Sequence, residues 1–245
     1  MIKLQHLTVG YGEKAVLSDI NQTLNEGQLV CLLGSNGVGK STLLRTLAGF
    51  LPPLSGEILL NGCELTSLPI SRRSQAVSVV LTERVEVPYM KVVDLVGMGR
   101  SPYTGFFGTL TKEDRRIVGE AIEMVGIEDL TERTIDTLSD GERQKAMIAK
   151  ALAQHTPIIL LDEPTAFLDF HSKVGTLRLM LRLAHETGKS ILLSTHDVEM
   201  ALRLSDMLWI VLDGEIKTGT TASLKEDGTL RKFLEPLDSV DFPNL

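Results

Sequence analysis

A glycine-rich stretch near the start of the chain has the residue types and the spacing of a phosphate-binding loop. It matches the pattern G-x-x-x-x-G-K-[ST] and consists of Gly34, Ser35, Asn36, Gly37, Val38, Gly39, Lys40, Ser41 and Thr42. Glycines let the backbone curl so that successive N–H groups point at one anion. Lys40 is expected to reach the β- and γ-phosphates, and the Ser41 hydroxyl is expected to coordinate Mg²⁺. The stretch therefore predicts the binding of a nucleoside triphosphate.

The loop is flanked by segments that would hold it in place. Leu29 to Leu33, directly before it, form a short apolar run bounded by glycines, which is typical of a buried parallel strand. Strong helix formers follow the loop as far as Ala48, and Gly49 is suited to end that helix. A glycine-rich turn without a ligand is the alternative interpretation, and this strand–loop–helix context disfavours it.

A second group of candidate residues follows another apolar run, Ile158 to Leu161. Asp162 and Glu163 come directly after it, at the carboxyl end of the predicted strand, where ligands of open α/β sheets collect. Asp162 is expected to hold Mg²⁺ through water, and Glu163 to orient or deprotonate an attacking water. An isolated acid pair could equally be a solvated turn, but the phosphate loop favours the functional interpretation.

Two further motifs fit the same chemistry. Ser194 to Asp197 close another strand, and the imidazole of His196 is expected to reach the γ-phosphate, although a lone histidine is more often structural. Ser139 and Glu142 have the spacing of a capping box at the start of a helix. A good helix start with no other role is the competing interpretation of that pattern.

The composition indicates a soluble globular protein of the cytosol. Of the 245 residues, 25 are Lys or Arg and 32 are Asp or Glu, so the net charge is −7. Proteins that coat nucleic acid usually carry a basic stripe, so no nucleic-acid partner is expected. The longest apolar run, Met207 to Leu212, is too short to cross a bilayer, and the N-terminus lacks a signal-peptide pattern. Two cysteines do not make a disulfide framework, and the five histidines show no metal-ligand spacing.

The pattern along the chain predicts the elements that position these residues. Short apolar pieces up to about residue 30 suggest antiparallel strands, and Glu57 to Gly62 read as a strand that ends in an Asn-Gly turn. A helix should start after Thr111 as its N-cap. Four apolar residues would form its buried face: Ile117, Ala121, Met124 and Val125.

After Pro157, strands and helices alternate, which implies a mostly parallel sheet covered on both faces. The predicted segments are Ile158 to Leu161, a helix from about Lys173 to Glu186, Ser190 to Ser194, another helix, and Leu208 to Leu212.

In their order and combination, these motifs closely resemble the nucleotide-binding subunit of ATP-binding cassette (ABC) transporters, from Tyr11 to about Gly214. The resemblance implies an α/β fold: a P-loop ATPase core with a mixed, mostly parallel sheet, an N-terminal antiparallel β subdomain and an inserted α-helical lobe. It implies that ATP and Mg²⁺ are bound and that ATP is hydrolysed, with Lys40, Glu163 and His196 in the catalytic roles.

The resemblance also sets the expected domain limits. A single ATPase domain would span residues 1–235, with its catalytic core at about 1–87 and 156–225 and the helical lobe at about 88–155. Residues 236–245 would be a loose C-terminal tail.

Further roles follow from the resemblance residue by residue. Tyr11 matches the aromatic residue that stacks on adenine. Ser139, Gly141 and Glu142 match the signature motif, which contacts the nucleotide of a partner subunit. Asp169 matches the key acid of a loop that crosses between two subunits.

Two departures from the family pattern stand out. Asp140 occupies the first glycine position of the signature motif, where a carboxylate would cost binding energy near a γ-phosphate unless it points away. Thr82 stands where the family places a glutamine that contacts Mg²⁺ and senses the permease. Thr82 is therefore a possible metal ligand with a shorter oxygen donor, and Glu83 is an alternative substitute.

Within the family, Val93 to Pro102 and Gly141 to Lys145 look like the importers of iron–siderophore, haem and cobalamin. This implies a homodimer beneath two permeases on the cytoplasmic face of the inner membrane, served by an extracytoplasmic binding protein. Pro88 to Met90 and an aromatic cluster could line the groove for a permease helix, or the aromatic residues could pack the lobe's own core. The cluster consists of Tyr103, Phe106 and Phe107.

Other functions stay open for such a cassette. It could be a soluble ATPase that acts as an assembly scaffold, for instance for iron–sulfur clusters, or it could energise another transporter class such as an exporter. A DNA-repair or chromosome-maintenance cassette is disfavoured by the acidic charge and by the lack of a coiled-coil insertion.

Overall fold

The protein is described here by a computed structural model that covers residues 1–82, 88–105 and 107–238, with side chains as far as residue 235. In that part of the chain the strands are β1 (Ile2–Tyr11), β2 (Lys14–Ile20), β3 (Thr23–Leu24), β4 (Leu29–Leu33), β5 (Ser55–Leu60), β6 (Cys63–Glu64), β7 (Val77–Val80), β8 (Ile158–Leu161), β9 (Ser190–Ser194), β10 (Met207–Leu212) and β11 (Glu215–Gly219). The helices are α1 (Lys40–Leu47), α2 (Ile70–Ala76), α3 (Val92–Gly97), α4 (Lys112–Val125), α5 (Asp140–Ala153), α6 (Phe170–Thr187), α7 (Val198–Leu204), α8 (Thr221–Glu226) and α9 (Thr229–Asp238).

The central sheet has the strand order β11-β10-β4-β9-β8-β7. Its neighbours are parallel except for β10 and β11, which confirms the predicted mixed, mostly parallel sheet. Every residue of β4, β8 and β9 is buried, as their uninterrupted apolar character predicts. Because these strands run in the same direction, the segments that follow them meet at one edge of the sheet.

A smaller antiparallel sheet covers one face of the central sheet. Its strand order is β2-β1-β5-β6, with β3 paired to β1, which confirms the antiparallel strands expected at the N-terminus. Strand β5 and the turn after it lie where the Asn-Gly pair predicts them. Leucines of α1 fill the space between the two sheets together with Leu4, Leu32 and Trp209. Burial of each such side chain stabilises the fold by about 2 kcal/mol.

The helical lobe extends the core on the other face, where α3, α4 and α5 pack together. Helix α4 begins after Thr111 as its N-cap, as predicted, and Thr111 also forms a capping box with Asp114. Its buried face differs from the predicted one: Met124 is exposed and Ile117 is only partly buried, whereas Val118 and Ile122 are buried. The apolar residues of α4 cover more than one stripe of the helix, and packing against α3 and α5 decides which stripe is buried.

The second half of the chain differs from the predictions at two helix ends. Helix α6 starts at Phe170, three residues before the predicted start, because the Asp169 side chain caps it by accepting a hydrogen bond from the Ser172 N–H. Helix α9 continues to Asp238 and so extends into the segment predicted as a C-terminal tail from residue 236. Leu230 is buried and Phe233 packs against the core, which holds this amphipathic helix in place. Residues 239–245 lie outside the described part.

No helix in the described residues is both long and apolar enough to span a bilayer.

Candidate active site

The predicted phosphate loop connects β4 to α1. Helix α1 starts at Lys40, and no side chain among the described residues caps its first turn, so the N–H groups there can bind a ligand. Gly39 adopts φ 112°, and a Cβ atom at this position would lie 2.5 Å from Val16 Cγ1. Only glycine meets both conditions, and the loop can therefore curl around an anion.

The Lys40 side chain is buried beneath this loop. Its Nζ donates hydrogen bonds to the backbone carbonyls of Gly34, at 2.8 Å, and Ser35, at 3.2 Å. The same Nζ lies 3.8 Å from Oε1 of Glu163. The two carbonyls are neutral acceptors, so a phosphate oxygen at the loop could replace them as a stronger partner for the ammonium group.

Asp162 is the centre of a cluster of hydroxyl groups at the edge of the sheet. The Ser41 hydroxyl donates to Asp162 Oδ1 at 3.0 Å, and the Ser194 hydroxyl donates to the same oxygen at 2.7 Å. The Thr82 hydroxyl donates to the backbone carbonyl of Asp162 at 2.7 Å. Carboxylate and hydroxyl oxygens are hard ligands of the kind that Mg²⁺ prefers, so the donor set fits this metal ion.

Ser194 is a residue of this cluster that the sequence analysis did not single out as functional. It accepts a hydrogen bond from the Glu163 N–H at 2.9 Å while it donates to Asp162. It therefore ties the two acids of β8 to the end of β9. A serine at the end of a fully buried strand, two residues before His196, is the signal that could have revealed it.

Glu163 joins Lys40 to His196. Its Oε2 lies 2.7 Å from Nδ1 of His196, and its other oxygen faces the Lys40 ammonium. The backbone of Glu163 has φ 49°, in the left-handed region that non-glycine residues seldom adopt. Six other non-glycine residues of the described part share this region, so the contacts of Glu163, and not its backbone conformation, mark it as a site residue. The structure thus brings together Lys40, Glu163 and His196, which the sequence analysis selected separately.

Tyr11 lies at the rim of the phosphate loop. Its side chain is exposed, and its hydroxyl accepts a hydrogen bond of 3.4 Å from Thr42 at the start of α1. The ring is therefore close to the loop and open to a ligand, and the stacking role stays a prediction.

The signature residues lie at the start of α5. The Ser139 N–H and hydroxyl both donate to Glu142 Oε2 at 2.8 Å, and Ser139 Oγ accepts from the Glu142 N–H. The capping box predicted from the sequence is therefore confirmed. The backbone N–H and the hydroxyl of Ser139 lower the pKa of the Glu142 carboxyl, because both donate to its charged form.

Asp169 is also a cap residue. It accepts hydrogen bonds from the Ser172 hydroxyl at 2.7 Å and from the Ser172 N–H at 3.0 Å, and these bonds lower the pKa of its carboxyl. Phe167 and Phe170 on either side of it are exposed.

The geometry defines a class of protein. A triphosphate bound at the N-terminus of α1 would bring its last phosphate towards Lys40 and towards a carboxylate that is already paired with an imidazole. That combination suits hydrolysis with water as the nucleophile, the chemistry of P-loop nucleoside triphosphatases.

Comparisons with known proteins agree with this class and narrow it. A family model described as "ABC transporter" matches residues 17–166. The chain is 43% identical over 216 residues to an uncharacterized ABC transporter ATP-binding protein of Methanocaldococcus jannaschii, which covers 88% of this chain and 74% of that protein. It is 35% identical over 236 residues to the iron(3+)-hydroxamate import ATP-binding protein FhuC of Bacillus subtilis, and this alignment covers 96% of this chain and 87% of that protein. The cobalamin import ATP-binding protein BtuD of Halobacterium salinarum is 36% identical over 217 residues, and this alignment covers 88% of this chain and 54% of that protein.

Solved structures show the same relationship. A metal-chelate type ABC transporter in an inward-facing conformation superposes with a TM-score of 0.83 at 27% identity and covers 96% of this chain and 88% of that one. The dimeric ATP-binding cassette MJ0796 in a post-hydrolysis state, bound to ADP and Pi, superposes with a TM-score of 0.76 at 28% identity, with 90% and 99% covered.

This chain belongs to the ABC transporter family. It is an ATP-binding subunit of the ATP-hydrolysing kind, and it resembles the subunits of metal-chelate importers, as the motifs predict.

Proposed function

We propose that this chain hydrolyses ATP to power the uptake of a metal chelate, such as an iron–siderophore, haem or cobalamin complex, through a partner permease. The similarity to iron-hydroxamate and cobalamin import subunits supports this substrate class. The single observation that carries the hydrolytic role is the contact of Glu163 with both Lys40 and His196 beside the phosphate loop.

In the proposed reaction, Lys40 exchanges its partners when ATP binds. Its ammonium leaves the carbonyls of Gly34 and Ser35 for the β- and γ-phosphate oxygens, which are stronger acceptors. This removes the cation that faces Glu163, whose carboxylate is then free to accept a proton from the attacking water. His196 holds that carboxylate in place and faces the γ-phosphate, where it stabilises the developing charge.

The hydroxyl cluster would hold the metal ion. Ser41 and Asp162 are the proposed Mg²⁺ ligands, Asp162 through water, and Thr82 is a possible third. When bound, Mg²⁺ neutralises charge on the phosphate oxygens. Ser194 orients the acids on either side of this position through its two hydrogen bonds. Glu83, the alternative to Thr82, lies outside the described residues.

We propose that two copies of the chain close head to tail around two ATP molecules. The remaining loop residues, Gly34 to Gly39 and Thr42, would surround the phosphates, while Tyr11 stacks on adenine. Ser139, Gly141 and Glu142 of one copy would contact the nucleotide held by the other, and the Asp169 loop would cross between them. The dimeric structure of a related cassette supports this arrangement.

The helical lobe is the proposed contact with two permease subunits at the cytoplasmic face of the inner membrane. Tyr89 and Phe107 are 87% and 90% exposed, which favours a docking role over packing within the lobe. Tyr103 instead packs against the Arg100 guanidinium, 4.0 Å from its ring centre, and Phe106 lies outside the described residues. An extracytoplasmic binding protein would deliver the chelate on the other side of the membrane.

The decisive experiment is the substitution Glu163→Gln. The variant should bind ATP with wild-type affinity, lose hydrolysis by at least about 100-fold, and accumulate as ATP-bound dimers. Phosphate release and light scattering after gel filtration measure these outcomes. Glu199→Gln, an exposed acid on α7, is the matched control and should behave as wild type. Hydrolysis at the wild-type rate in Glu163→Gln would refute the role of this carboxylate.

Transport is tested separately from hydrolysis. A deletion strain should lose uptake of labelled ferric siderophore, haem or cobalamin, and the subunit should copurify with a membrane protein from detergent extracts. Normal uptake of all three, with no membrane partner, would favour the assembly-scaffold ATPase instead.

A further inference from the structure

The first turn of α5 carries two carboxylates at the place where the proposed dimer must receive a triphosphate. Asp140 and Glu142 lie on either side of Gly141, one and three residues after Ser139. Carboxylates in a first turn stabilise their own helix, but they repel an anion that approaches the same helix end.

An arginine stands beside each of these carboxylates. Arg133 Nη1 lies 3.5 Å from Glu142 Oε1, and Arg143 Nη1 lies 3.8 Å from Asp140 Oδ1. Each arginine also donates to a backbone carbonyl just before Ser139. Arg133 Nη2 donates to Thr137 at 2.6 Å, and Arg143 Nη2 donates to Leu138 at 3.4 Å. Both guanidinium groups are therefore anchored to the backbone that leads into the signature serine.

The segment that carries Arg133 is itself fixed to the lobe. The Arg133 carbonyl accepts a hydrogen bond from the Val92 N–H at 3.0 Å, and Thr134 pairs with Lys91 in an isolated β-bridge. Arg133 is thus held by its backbone and by its bond to Thr137, and it does not depend on Glu142 for its position.

We propose that Arg133 and Arg143 are the counter-ions that allow an acidic signature motif to accept the triphosphate bound by a second copy of the chain. This inference rests on the proposed head-to-tail dimer. The two arginines are positioning residues: they cancel the charge of Glu142 and Asp140 and hold the carbonyls next to Ser139. The departure at Asp140 is then compatible with phosphate contact because Arg143 neutralises it, without any need for the carboxylate to point away.

Neither pair is expected to add much to the stability of the fold. Arg133 and Glu142 are 44% and 34% exposed, Arg143 and Asp140 are 21% and 42% exposed, and partly exposed pairs at 3.5 to 3.8 Å contribute little to folding. In a closed dimer, water would be largely excluded from the same groups, and an uncompensated carboxylate near a phosphate would repel it strongly. The effect of the arginines should therefore appear in dimer formation.

The test measures ATP-driven dimerisation in the Glu163→Gln background by sedimentation. Arg133→Met should weaken dimerisation by about 100-fold, since a symmetric dimer has two signature contacts and each loses about ten-fold. ATP affinity of the monomer should be unchanged, because Arg133 holds the start of α5, whereas the monomer would bind ATP at the start of α1. Adding Glu142→Gln should restore dimerisation, since glutamine keeps the oxygen that accepts from Ser139 and removes the charge. Arg143→Met with Asp140→Asn forms the second matched set.

Arg116→Met is the control, because Arg116 pairs with acids on the exposed side of α4. It should dimerise like the parent. Dimerisation of Arg133→Met and Arg143→Met at the parental level would overturn the counter-ion role and leave the proposed function intact. A defect that the acid-to-amide changes do not restore would show a structural role and would also overturn it. If the Glu163→Gln parent itself forms no dimer with ATP, both the inference and the proposed dimer fail.

Discussion

Arg100 and Asp114 in the helical lobe are joined by a hydrogen bond, whereas Lys40 and Glu163 at the edge of the central sheet are only loosely paired with each other. Arg100 donates to Asp114 at 2.9 Å and to the Ala153 carbonyl at 2.9 Å, while the other Asp114 oxygen accepts two bonds from Thr111. The Lys40–Glu163 distance is 3.8 Å, too long for a hydrogen bond. All four side chains are mostly buried.

The difference follows from what each pair must do. A buried ion pair that only supports the fold needs all its hydrogen bonds, because each unmet bond costs free energy in a low dielectric. A pair that works on a ligand must give up its internal partners when the ligand arrives. Lys40 accordingly rests on two neutral carbonyls, while the Arg100–Asp114 pair leaves neither partner's charge available to a ligand.

The largest expected effect that separates the two networks comes from Lys40→Ala. ATP hydrolysis should fall by about 100- to 1,000-fold, since a preorganised charge on the phosphates is lost. The free energy of unfolding should change by less than about 1 kcal/mol, because the lost bonds are to carbonyls that water can reach when the side chain is gone. Phosphate release and urea unfolding measure both quantities. Hydrolysis at the wild-type rate in this variant would show that Lys40 has no catalytic role.

Asp114→Asn should have the opposite profile. It leaves the buried Arg100 guanidinium without its counter-charge, so the free energy of unfolding should fall by about 3 kcal/mol. Hydrolysis per folded molecule should stay within about two-fold of wild type, since the lobe network does not touch the phosphate loop. Glu113→Gln, the exposed neighbour, is the control. Equal stability of the Asp114→Asn protein would show that the lobe pair is not what holds α4 in place.

Acid should weaken the lobe network in a defined pH range. Bonds from the Thr111 hydroxyl, and next from Arg100, lower the pKa of the Asp114 carboxyl from 3.8 to about 2. A carboxyl whose pKa is lower in the folded protein than in the unfolded chain adds stability. This contribution is complete at pH values above the pKa of the unfolded chain, and it is lost as the pH falls towards the pKa of the folded protein. The contribution, about 2 kcal/mol, should therefore disappear between about pH 5 and pH 2. The free energies of unfolding of the wild type and of Asp114→Asn should converge as the pH falls through this range. A difference that stays constant with pH would show that the Asp114 carboxyl does not supply this contribution.

Ser194→Ala should give the smallest of these effects, and it tests the hydrogen bonds that Ser194 forms with Asp162 and Glu163. Loss of its two hydrogen bonds should lower the free energy of unfolding by about 1 kcal/mol and raise the Mg²⁺ concentration for half-maximal hydrolysis several-fold. Ser190→Ala is a close control, because Ser190 is equally buried on β9 and its hydroxyl has no hydrogen-bond partner in the described structure. An unchanged Mg²⁺ dependence in Ser194→Ala would exclude Ser194 from the metal site.

Much of the candidate site could be predicted because its motifs are local. Nine consecutive residues specify the phosphate loop, and an apolar run followed directly by two acids specifies the end of β8. Both capping boxes join residues three positions apart, so Ser139 with Glu142 could be recognised without knowledge of the fold.

Contacts between distant residues could not be predicted in this way. The bond from Ser194 to Asp162 joins two strand ends 32 residues apart, and a serine hydroxyl in an apolar strand can also bond to nearby backbone groups. Arg100 follows α3, Asp114 lies in the first turn of α4, and nothing in their spacing pairs them. The exposed position of Met124 and the extent of α9 also depend on which surfaces the neighbouring elements cover.

The amino-acid sequence by itself determined the local backbone and the chemical groups of this protein: the glycines that allow the loop to curl, the cap residues and the strands that end in acids. These depend on interactions among residues a few positions apart, which short-range sterics and hydrogen bonds decide. Only the tertiary structure decided that Ser41 and Ser194 share one oxygen of Asp162 and that Glu163 stands between Lys40 and His196. Those contacts form only after parallel strands from separate parts of the chain have packed side by side, because burial of their apolar faces aligns the strand ends.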